Sequence, residues 1–450
     1  LFEELEPETV YWYRCLASNA YDQVWGEATW FRTAAAGGEV CTWTGLGGNA
    51  LASNANNWRD GRAPGPSDYV VLDGSAAAII WDAGVDGLAD TVARWTQLED
   101  YAGTVTFRTV YPGQGDFTNF VIAGDAILAN GTWAHVQNSG TQIYRLAVEV
   151  GGDLMLGAAA KVNASNLGYY GAGPGVQPAG NTYGAAAHGG RGGEQGLGWG
   201  STNVYGSIFA PVDLGSGGSY PKSRGGGAVR LSVGGLFALD GVIDANAGTV
   251  NGAGGSVFVT AGELTGGGTV QASNPSSGSY ASGGGGRIAI ILNSPGAAFD
   301  DFTGVARADT VHAHTGRRGA AGTVYLETLA AGRNGGTVVI DNQTQVPTHD
   351  TTLPPADGIG RACSLTLSTT GWLRLQRNHI VRDLTLGAGA RLDLAGCQMT
   401  VGGALTIAGD DGFKPGIYPA SAFGAAVEDS SELLSGRIII PAPGTILMLR

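Results

Sequence analysis

The chain has 450 residues, of which 78 are Gly, 43% are hydrophobic and only 14% are charged. This apolar content allows a large core and argues against a disordered chain, and the low charge disfavours long solvated helices and coiled coils. Asp and Glu (38) outnumber Lys and Arg (25), so the net charge of −13 excludes nucleic acid and anionic membranes as expected partners, and no run of eighteen apolar residues predicts a membrane span.

Residues 1–36 show an alternating pattern that predicts two strands: Leu5-x-Pro7-x-Thr9-x-Tyr11, then Tyr13, Arg14, Ala17 and Asn19, and the run ATWFRT at 28–33. The pattern resembles the last two strands of a fibronectin type III domain, in which a Tyr at the position of Tyr11 forms the tyrosine corner. The five preceding strands of that domain are absent from this sequence, and a lone hairpin is marginal in water. The segment is therefore expected to be an incomplete domain, to pack on the rest of the chain, or to pair with a strand of another molecule.

Four cysteines are spread over the chain, at Cys15, Cys41, Cys363 and Cys397, and none forms a C-x-x-C pair. This spacing argues against zinc ribbons and thioredoxin-like sites, and it fits a secreted chain with one or two disulfides. The most local of the three pairings joins Cys15 to Cys41 and Cys363 to Cys397, and four reduced, buried thiols are the alternative. The chain begins LFEELEPETV without Met or a leader, so we expect an upstream extension with a signal peptide and an extracellular or cell-surface location.

Residues 40–143 predict an N-terminal cap followed by the first coils of a β-rich domain. The segment 41–74 reads as strand, Asn-rich loop, Pro/Gly turn and strand, and its marks are Trp43, Asn57-Trp58, Pro64, Asp68 and Val70-Val71-Leu72. This order resembles the start of bacterial surface β-helices and autotransporter-like passengers. In such a fold the segment would cover the open first coil with aromatic side chains.

Residues 144–450 contain a repeated unit of small residues followed by an alternating strand. The units GGAVRLSVGGL, GGSVFVTAGEL, GGRIAIIL and AGTVYLE start at Gly226, Gly254, Gly285 and Ala321, with spacings of 28, 31 and 36 residues. Second strands follow at 241–246 and 268–274, and similar units lie at 148–166 and 399–409. A drifting period near thirty predicts an all-β right-handed parallel β-helix, a solenoid with almost no helix. An antiparallel β-sandwich array is the alternative, and it requires regularly spaced hairpin turns.

A long loop insertion at residues 168–227 interrupts the repeats with 20 glycines and no Gly-X-Y period. Its runs GYYGAGPGV, AHGGRGG and YGSIFAPVDLGSGG, together with the units after it, resemble a glycine-rich family of bacterial extracellular β-helix proteins. The resemblance covers most of residues 40–450 at a coarse level, and it implies fold and location but no catalytic residues.

The insertion supplies candidate side chains for binding a polysaccharide or a protein partner, because aromatic rings stack on sugars. The alternative is that these rings pack on the coils and order the loop. The candidates are Tyr183, Arg191, Trp199, Tyr205, Tyr220 and Arg224.

Asp240 and Asp244 form the best carboxylate pair for catalysis, and His188 is a further catalytic candidate. Positions i and i+4 of a strand lie about 13 Å apart on one face, beyond the roughly 6.5–9.5 Å of an inverting glycosidase. Asp240 also lies in an Asp-Gly turn, where the carboxylate usually accepts a hydrogen bond from a nearby backbone amide.

His312 and His314 are the candidate metal ligands, because i and i+2 share a strand face, and a solvated loop is the alternative. Ca²⁺ at a corner such as Asp244 and Asn246 is the remaining cofactor hypothesis.

The sequence favours a non-enzymatic extracellular surface, adhesion or matrix protein. The runs RIIIP (437–441) and TILMLR (445–450) would leave an exposed strand edge unless a strand of the same chain or of the next subunit covers it, so end-to-end self-association is part of this hypothesis. The alternatives are a polysaccharide lyase or glycoside hydrolase, and a carbohydrate-binding module without turnover.

Overall fold

The computed structural model describes residues 10–14, 16–18, 23–25, 29–32, 38–74, 77–176, 184–194, 201–219, 222–248, 251–275, 280–312, 314–353, 360 and 362–442. Within them the chain is all-β, with 38% strand and 4% helix, as the alternating pattern predicted. The helices of this part of the chain are short 3-10 segments: η1 (Ala55–Asn57), η2 (Thr315–Arg317), η3 (Leu329–Ala331) and η4 (Ala420–Ala426).

Short strands follow one another along the chain. The first fourteen are β1 (Val10–Tyr13), β2 (Leu16–Ser18), β3 (Gln23–Trp25), β4 (Thr29–Arg32), β5 (Val40–Thr42), β6 (Tyr69–Leu72), β7 (Ile79–Trp81), β8 (Thr91–Val92), β9 (Arg94–Gln97), β10 (Thr104–Phe107), β11 (Phe120–Ile122), β12 (Ala126–His135), β13 (Leu146–Val150) and β14 (Leu154–Asn163). The next ten are β15 (Ala228–Val233), β16 (Leu236–Leu239), β17 (Val242–Asp244), β18 (Ser256–Ala261), β19 (Glu263–Thr265), β20 (Thr269–Gln271), β21 (Arg287–Leu292), β22 (Val305–Arg307), β23 (Thr323–Thr328) and β24 (Thr337–Asp341). The last ten are β25 (Ser364–Ser368), β26 (Trp372–Arg374), β27 (His379–Val381), β28 (Leu384–Leu386), β29 (Arg391–Asp393), β30 (Gln398–Val401), β31 (Leu405–Ile407), β32 (Gly416–Pro419), β33 (Val427–Glu428) and β34 (Arg437–Ile440).

Two long sheets contain most of these strands. The 12-stranded sheet follows the order β22-β20-β17-β14-β12-β9-β6-β5, with β10 and β7 continuing from β12 and with β16 and β19 continuing from β14. The 11-stranded sheet follows the order β31-β28-β25-β24-β23-β21-β18-β15-β13-β11-β8. Both sheets continue across the boundary predicted at 143/144. In both, neighbouring strands are parallel except for β23 and β24.

The strand registers reproduce the spacings of the sequence repeats. Ala228 of β15 pairs with Ser256 of β18, Ser256 pairs with Arg287 of β21, and Arg287 pairs with Thr323 of β23. These pairs are 28, 31 and 36 residues apart, as in the aligned units. The second strands pair in the same way, since Ile243 of β17 lies beside Val270 of β20. The parallel pairing disagrees with an antiparallel sandwich array, which the sequence had left open.

The chain returns to the same sheets in a repeated order. From β13 in the 11-stranded sheet it passes to β14, whose first half pairs with β16 and whose second half pairs with β17. After the insertion the same path runs through β15, β16 and β17, and then through β18, β19 and β20. Each strand is thus hydrogen-bonded to its counterpart in the preceding passage.

The inward-facing side chains form a continuous apolar core. In many strands alternating positions are buried, for example Val229 and Leu231 in β15 and Val257 and Val259 in β18. Near the N-terminal end this core is aromatic, with T-shaped and tilted contacts at ring-centroid distances of 4.8–6.2 Å. The rings are Trp43, Trp58, Trp81, Trp95, Phe107, Phe120 and Trp133. The aromatic bulk expected from Trp43 and Trp58 is therefore present beside β5, the last strand of the 12-stranded sheet.

The chain reverses its direction once within the 11-stranded sheet. Val324 of β23 faces Val339 of β24 in an antiparallel pair, and parallel pairing resumes from β24 to β25. A second apolar cluster lies mainly beyond this point and continues to Ile440. The sequence repeats did not predict this reversal.

A strand of the same chain covers the far edge of the C-terminal strand. β34 pairs in parallel with β30 on one side and antiparallel with β32 on the other. Of the two arrangements expected for the run 437–441, the structure shows the intramolecular one. The run 445–450 lies outside the described residues.

At the N-terminal end, β1 pairs with β4 and β2 pairs with β3, both antiparallel. These ladders agree with predicted strands at Tyr11–Tyr13 and within 28–33, but two ladders do not define a fibronectin type III domain.

Cys41, Cys363 and Cys397 are free thiols, so the bridge considered between Cys363 and Cys397 is not formed, and Cys15 lies outside the described residues. None of the helices in the part of the chain that is described is long and apolar enough to cross a membrane.

Candidate functional site

The described parts of the glycine-rich insertion pack against the parallel strands of the 11-stranded sheet. The amides of Gly189 and Gly190 donate to the carbonyl of Gly285, and the amide of Gly284 donates to the carbonyl of Ala186, all at 2.9 Å. Further along, Ile208 is buried in the same apolar cluster as Ala289 and Tyr325. The insertion therefore covers the outward side of the 11-stranded sheet at β21 and β23.

His188 and Tyr205 hold the insertion in place. His188 is 0% exposed, its Nδ1 is 2.7 Å from the carbonyl oxygen of Gly254, and its ring lies 4.6 Å from that of Tyr205. Burial, reinforced by the positive charge of Arg287, lowers the pKa of His188 to about 3. The ring is therefore neutral, and Nδ1–H donates to Gly254. The Tyr205 hydroxyl donates to the carbonyl of Leu214 at 2.6 Å.

This arrangement places two predicted site residues in packing positions. His188 has no exposed surface for a substrate, and the Tyr205 ring packs on His188 instead of standing free. For Tyr205 this agrees with the alternative expectation that the rings of the insertion pack and order the loop. Arg224 lies 4.6 Å from the exposed ring of Tyr170, with Lys222 on the same ring at 5.9 Å. Tyr183, Trp199 and Tyr220 lie outside the described residues.

The predicted carboxylate pair bonds to the backbone. Asp240 is exposed, and one carboxylate oxygen accepts the amide of Gly267 at 3.0 Å. Asp244 is 8% exposed and accepts the amide of Asn246 at 2.9 Å. Both carboxylates therefore support turns between passages of the chain.

His312 and His314 do not share a strand face, which corrects the prediction. The segment lies in a loop before η2, and His312 is buried while His314 is exposed. The Nε2 of His312 donates to the carbonyl of Tyr280 at 2.5 Å, and its Nδ1 accepts the amide of His314 at 3.0 Å. Both ring nitrogens are thus engaged. Among the residues that are described, no group of three His, Cys, Asp or Glu side chains is arranged to hold a metal.

Arg191 is the predicted binding residue that lies at a cavity. A cleft of about 420 Å³, here called the insertion cleft, separates the insertion from the C-terminal strands. The insertion provides Arg191 and Thr202, and the facing wall is formed by Asp350, Thr352, Arg374, Leu375, Gln376, Ala395 and Cys397.

An ion pair and a histidine–carboxylate contact join the two walls of the insertion cleft. Nη1 of Arg191 lies 2.7 Å from Oδ1 of Asp350, and beside this pair Nε2 of His349 lies 3.1 Å from Oε1 of Glu194. Burial lowers the pKa of His349, while the nearby Glu194 carboxylate opposes that shift. Arg191 comes from the insertion and His349 from the facing wall, so the two contacts together fix the width of the cleft.

Several polar atoms at the insertion cleft have no hydrogen-bond partner in the protein. They are Nε of Arg191, Oδ2 of Asp350 and Oγ1 of Thr352. On the outer side, Arg374 is 45% exposed and its Nε is 3.4 Å from Asp393. Buried polar atoms are normally paired, so these three atoms lack a partner that an ordered water or a polar ligand in the cleft would supply.

A second cleft, of about 650 Å³, lies at the C-terminal ends of β7, β10 and β12. It is lined by Ile80, Thr106, Arg108, His135, Val136, Gln137 and Tyr144. Burial lowers the pKa of His135 to about 4, and its Nδ1 is 2.8 Å from the carbonyl oxygen of Val136. A Cβ on Gly227 would lie 2.2 Å from Nε2, so that nitrogen points towards the neighbouring coil.

Sequence reasoning missed most of the insertion cleft because its residues come from distant parts of the chain. A weak local signal was present in the polar run His349–Thr352, between two apolar strands. The sequence matches no protein-family model, and no curated protein or solved structure is significantly similar to it.

Proposed function

We propose that this chain is a non-enzymatic extracellular surface, adhesion or matrix module built on a right-handed parallel β-helix. The observation that carries the proposal is the register-continuous parallel pairing of successive passages, β13-β15-β18-β21-β23 in one sheet and β14-β17-β20-β22 in the other. Parallel crossovers within one sheet are almost always right-handed. Stacked coils form a stiff rod, a shape suited to presenting a surface away from a cell.

The packing of the insertion supports a structural role over a catalytic one. The carboxylates of Asp240 and Asp244 accept hydrogen bonds from backbone amides, and the His188 ring is enclosed between the insertion and the sheet. An extracellular location rests on the resemblance to secreted β-helix proteins and on the low charge of the chain. The alternatives are a polysaccharide lyase or hydrolase, and a saccharide-binding module.

Shape and activity can be tested on the same purified protein. Eleven strands at about 4.8 Å spacing give a sheet roughly 50 Å long, so small-angle scattering should report an elongated particle at least that long. Incubation with a panel of neutral and uronic acid polysaccharides should release neither reducing ends nor unsaturated uronates. A spherical particle would contradict the rod, and release of either product would contradict the non-enzymatic role.

Self-association is a separate part of the proposal. Among the described strands, those that end a sheet and could pair with another molecule include β5 and β8 near the N-terminal end and β31, β32 and β33 near the C-terminal end, and β32 already covers β34. If the rods associate end to end, electron micrographs of concentrated protein should show chains of rods. Monodisperse short rods at high concentration would refute assembly and leave the module itself intact.

A further inference from the structure

We infer that the insertion cleft binds a neutral saccharide through adjacent hydroxyl groups. This inference rests on the proposed surface module, because it names the class of ligand that the module would recognise. It differs from the aromatic stacking that the sequence suggested, since hydrogen-bonding side chains line this cleft.

The lining offers both donors and acceptors within one cavity. Asp350 is only 6% exposed at its side chain, and while Oδ1 bonds Arg191, its Oδ2 has no partner. Thr352, which is also buried, has an unpartnered hydroxyl, and Nε of Arg191 is a donor without an acceptor. A sugar hydroxyl donates and accepts at once, so adjacent hydroxyls can satisfy a carboxylate and a guanidinium together.

The insertion cleft carries no excess positive charge, which disfavours an anionic ligand. Arg191 is balanced by Asp350, and Arg374 is balanced by Asp393. Asp393 also accepts the amide and the hydroxyl of Ser430, so it is firmly held. An anionic sugar would bring its charge towards the buried Asp350 without meeting an unbalanced cation.

Size and apolar surface agree with a short saccharide. A volume of about 420 Å³ lies within the usual range of small-molecule sites, roughly 300–1,000 Å³. The half-buried Ala395 and Cys397 provide apolar surface for the C–H faces of a sugar ring, and the exposed Gln376 adds an amide at the rim.

The test uses the full chain and a defined set of probes: maltose, cellobiose, lactose, mannobiose and, as the anionic comparison, digalacturonate. Saturation-transfer NMR identifies which probe binds, and calorimetry measures its Kd for the wild type and for the variants Arg374→Ala, Gln376→Ala and Asp350→Asn. Arg374 and Gln376 are exposed, so their variants should fold. Arg333→Ala, at an exposed position in a distant loop, is the matched control.

We expect at least one neutral disaccharide to bind, with Kd about tenfold weaker for Arg374→Ala and for Asp350→Asn and unchanged for Arg333→Ala. Binding of none of the neutral probes, or of digalacturonate alone, would overturn the inference. Equal affinity in the wild type, Arg374→Ala and Gln376→Ala would place the ligand elsewhere and refute this site. Far-UV circular dichroism identifies any variant that fails to fold. If Arg374→Ala or Asp350→Asn does not fold, the Kd of Gln376→Ala decides whether the ligand binds at this cleft.

The outcome can be separated from that of the proposed function. A rod-shaped particle that binds no neutral sugar refutes the inference and leaves the module standing. A protein that binds a sugar at this cleft and also cleaves its polymer keeps the site but refutes the non-enzymatic role.

Discussion

Gly285 occupies a corner where the backbones of successive parallel strands come very close, so replacing it with Ala should destabilise the fold strongly. A Cβ at Gly285 would lie 1.9 Å from the carbonyl oxygen of Ala308 and 2.5 Å from the amide nitrogen of Gly322. Both atoms belong to the backbone, so no change of side-chain rotamer relieves the overlap. The neighbouring coil must move away, and the parallel ladder at β21 must open with it.

The magnitude follows from what the movement breaks. Overpacking a close-packed interior costs about 1–3 kcal/mol. The same corner donates its amide to Ala320 and accepts the amides of Gly189 and Gly190, and each hydrogen bond lost adds about 1 kcal/mol. We therefore expect Gly285→Ala to lower the free energy of unfolding by about 4 kcal/mol, a large part of the roughly 5–15 kcal/mol of a typical domain.

The measurement compares two glycines that differ in their surroundings. Gly140 is exposed, and a Cβ there meets nothing within 4 Å, so Gly140→Ala should change stability by no more than about 0.5 kcal/mol. Urea unfolding followed by far-UV circular dichroism gives both values. Hydrogen exchange should show lost protection in residues 184–194 and 285–292 of Gly285→Ala. Equal unfolding midpoints for the two variants would refute the close stacking of the coils.

Three further changes test other parts of the fold. His135 has a pKa of about 4 in the folded protein, against about 6.5 in an unfolded chain. The unfolded state therefore binds the proton first, and up to about 3 kcal/mol of stability is lost as the pH falls from 6.5 to 4. Urea unfolding at pH 7.5 and 4.5 should show a smaller pH dependence in His135→Gln, and an unchanged one contradicts the neutral buried ring. Tyr205→Phe removes the bond to Leu214 and should cost about 1–2 kcal/mol, with faster hydrogen exchange over residues 201–219; unchanged exchange would show that this bond does not hold the insertion. Asp393→Ala leaves the amide of Ser430 without its acceptor and should cost about 2–3 kcal/mol, whereas an unchanged unfolding midpoint argues against this link at the C-terminal end.

The repeats in the sequence predicted the register of the central strands because two signals coincide in each unit. Small residues at Gly226, Gly254 and Gly285 mark the corners, where a side chain would overlap the next coil. The alternating residues that follow each corner bury every second side chain against the core. Aligning the corners therefore aligns the hydrogen-bonded strands, and a slip of one residue would turn the apolar side chains outwards.

The positions of the insertion side chains could not be predicted in the same way. A glycine-rich segment has no periodicity that separates an exposed ring from a packed one, and the burial of His188 depends on a carbonyl 66 residues away. The reversal between β23 and β24 depends on the turn at residues 329–336. The composition of this turn resembles that of the other loops, so it gives no sign of the reversal. The insertion cleft combines both difficulties, since Arg191 meets Asp350 only after the insertion has folded onto coils beyond that reversal.

The stack itself explains how so long an insertion is accommodated. Strand β13, before the insertion, pairs directly with β15, after it, over five consecutive residue pairs. The first pair is Leu146 with Val229, and the last is Val150 with Val233. The chain therefore returns to the 11-stranded sheet one strand spacing away from the point where it left it. Loops carried by a rigid scaffold are where binding residues are most often found. In this chain the described parts of the insertion lie against the 11-stranded sheet and reach residues 349–376, so a ligand in the insertion cleft would contact segments that the fold holds at a fixed distance.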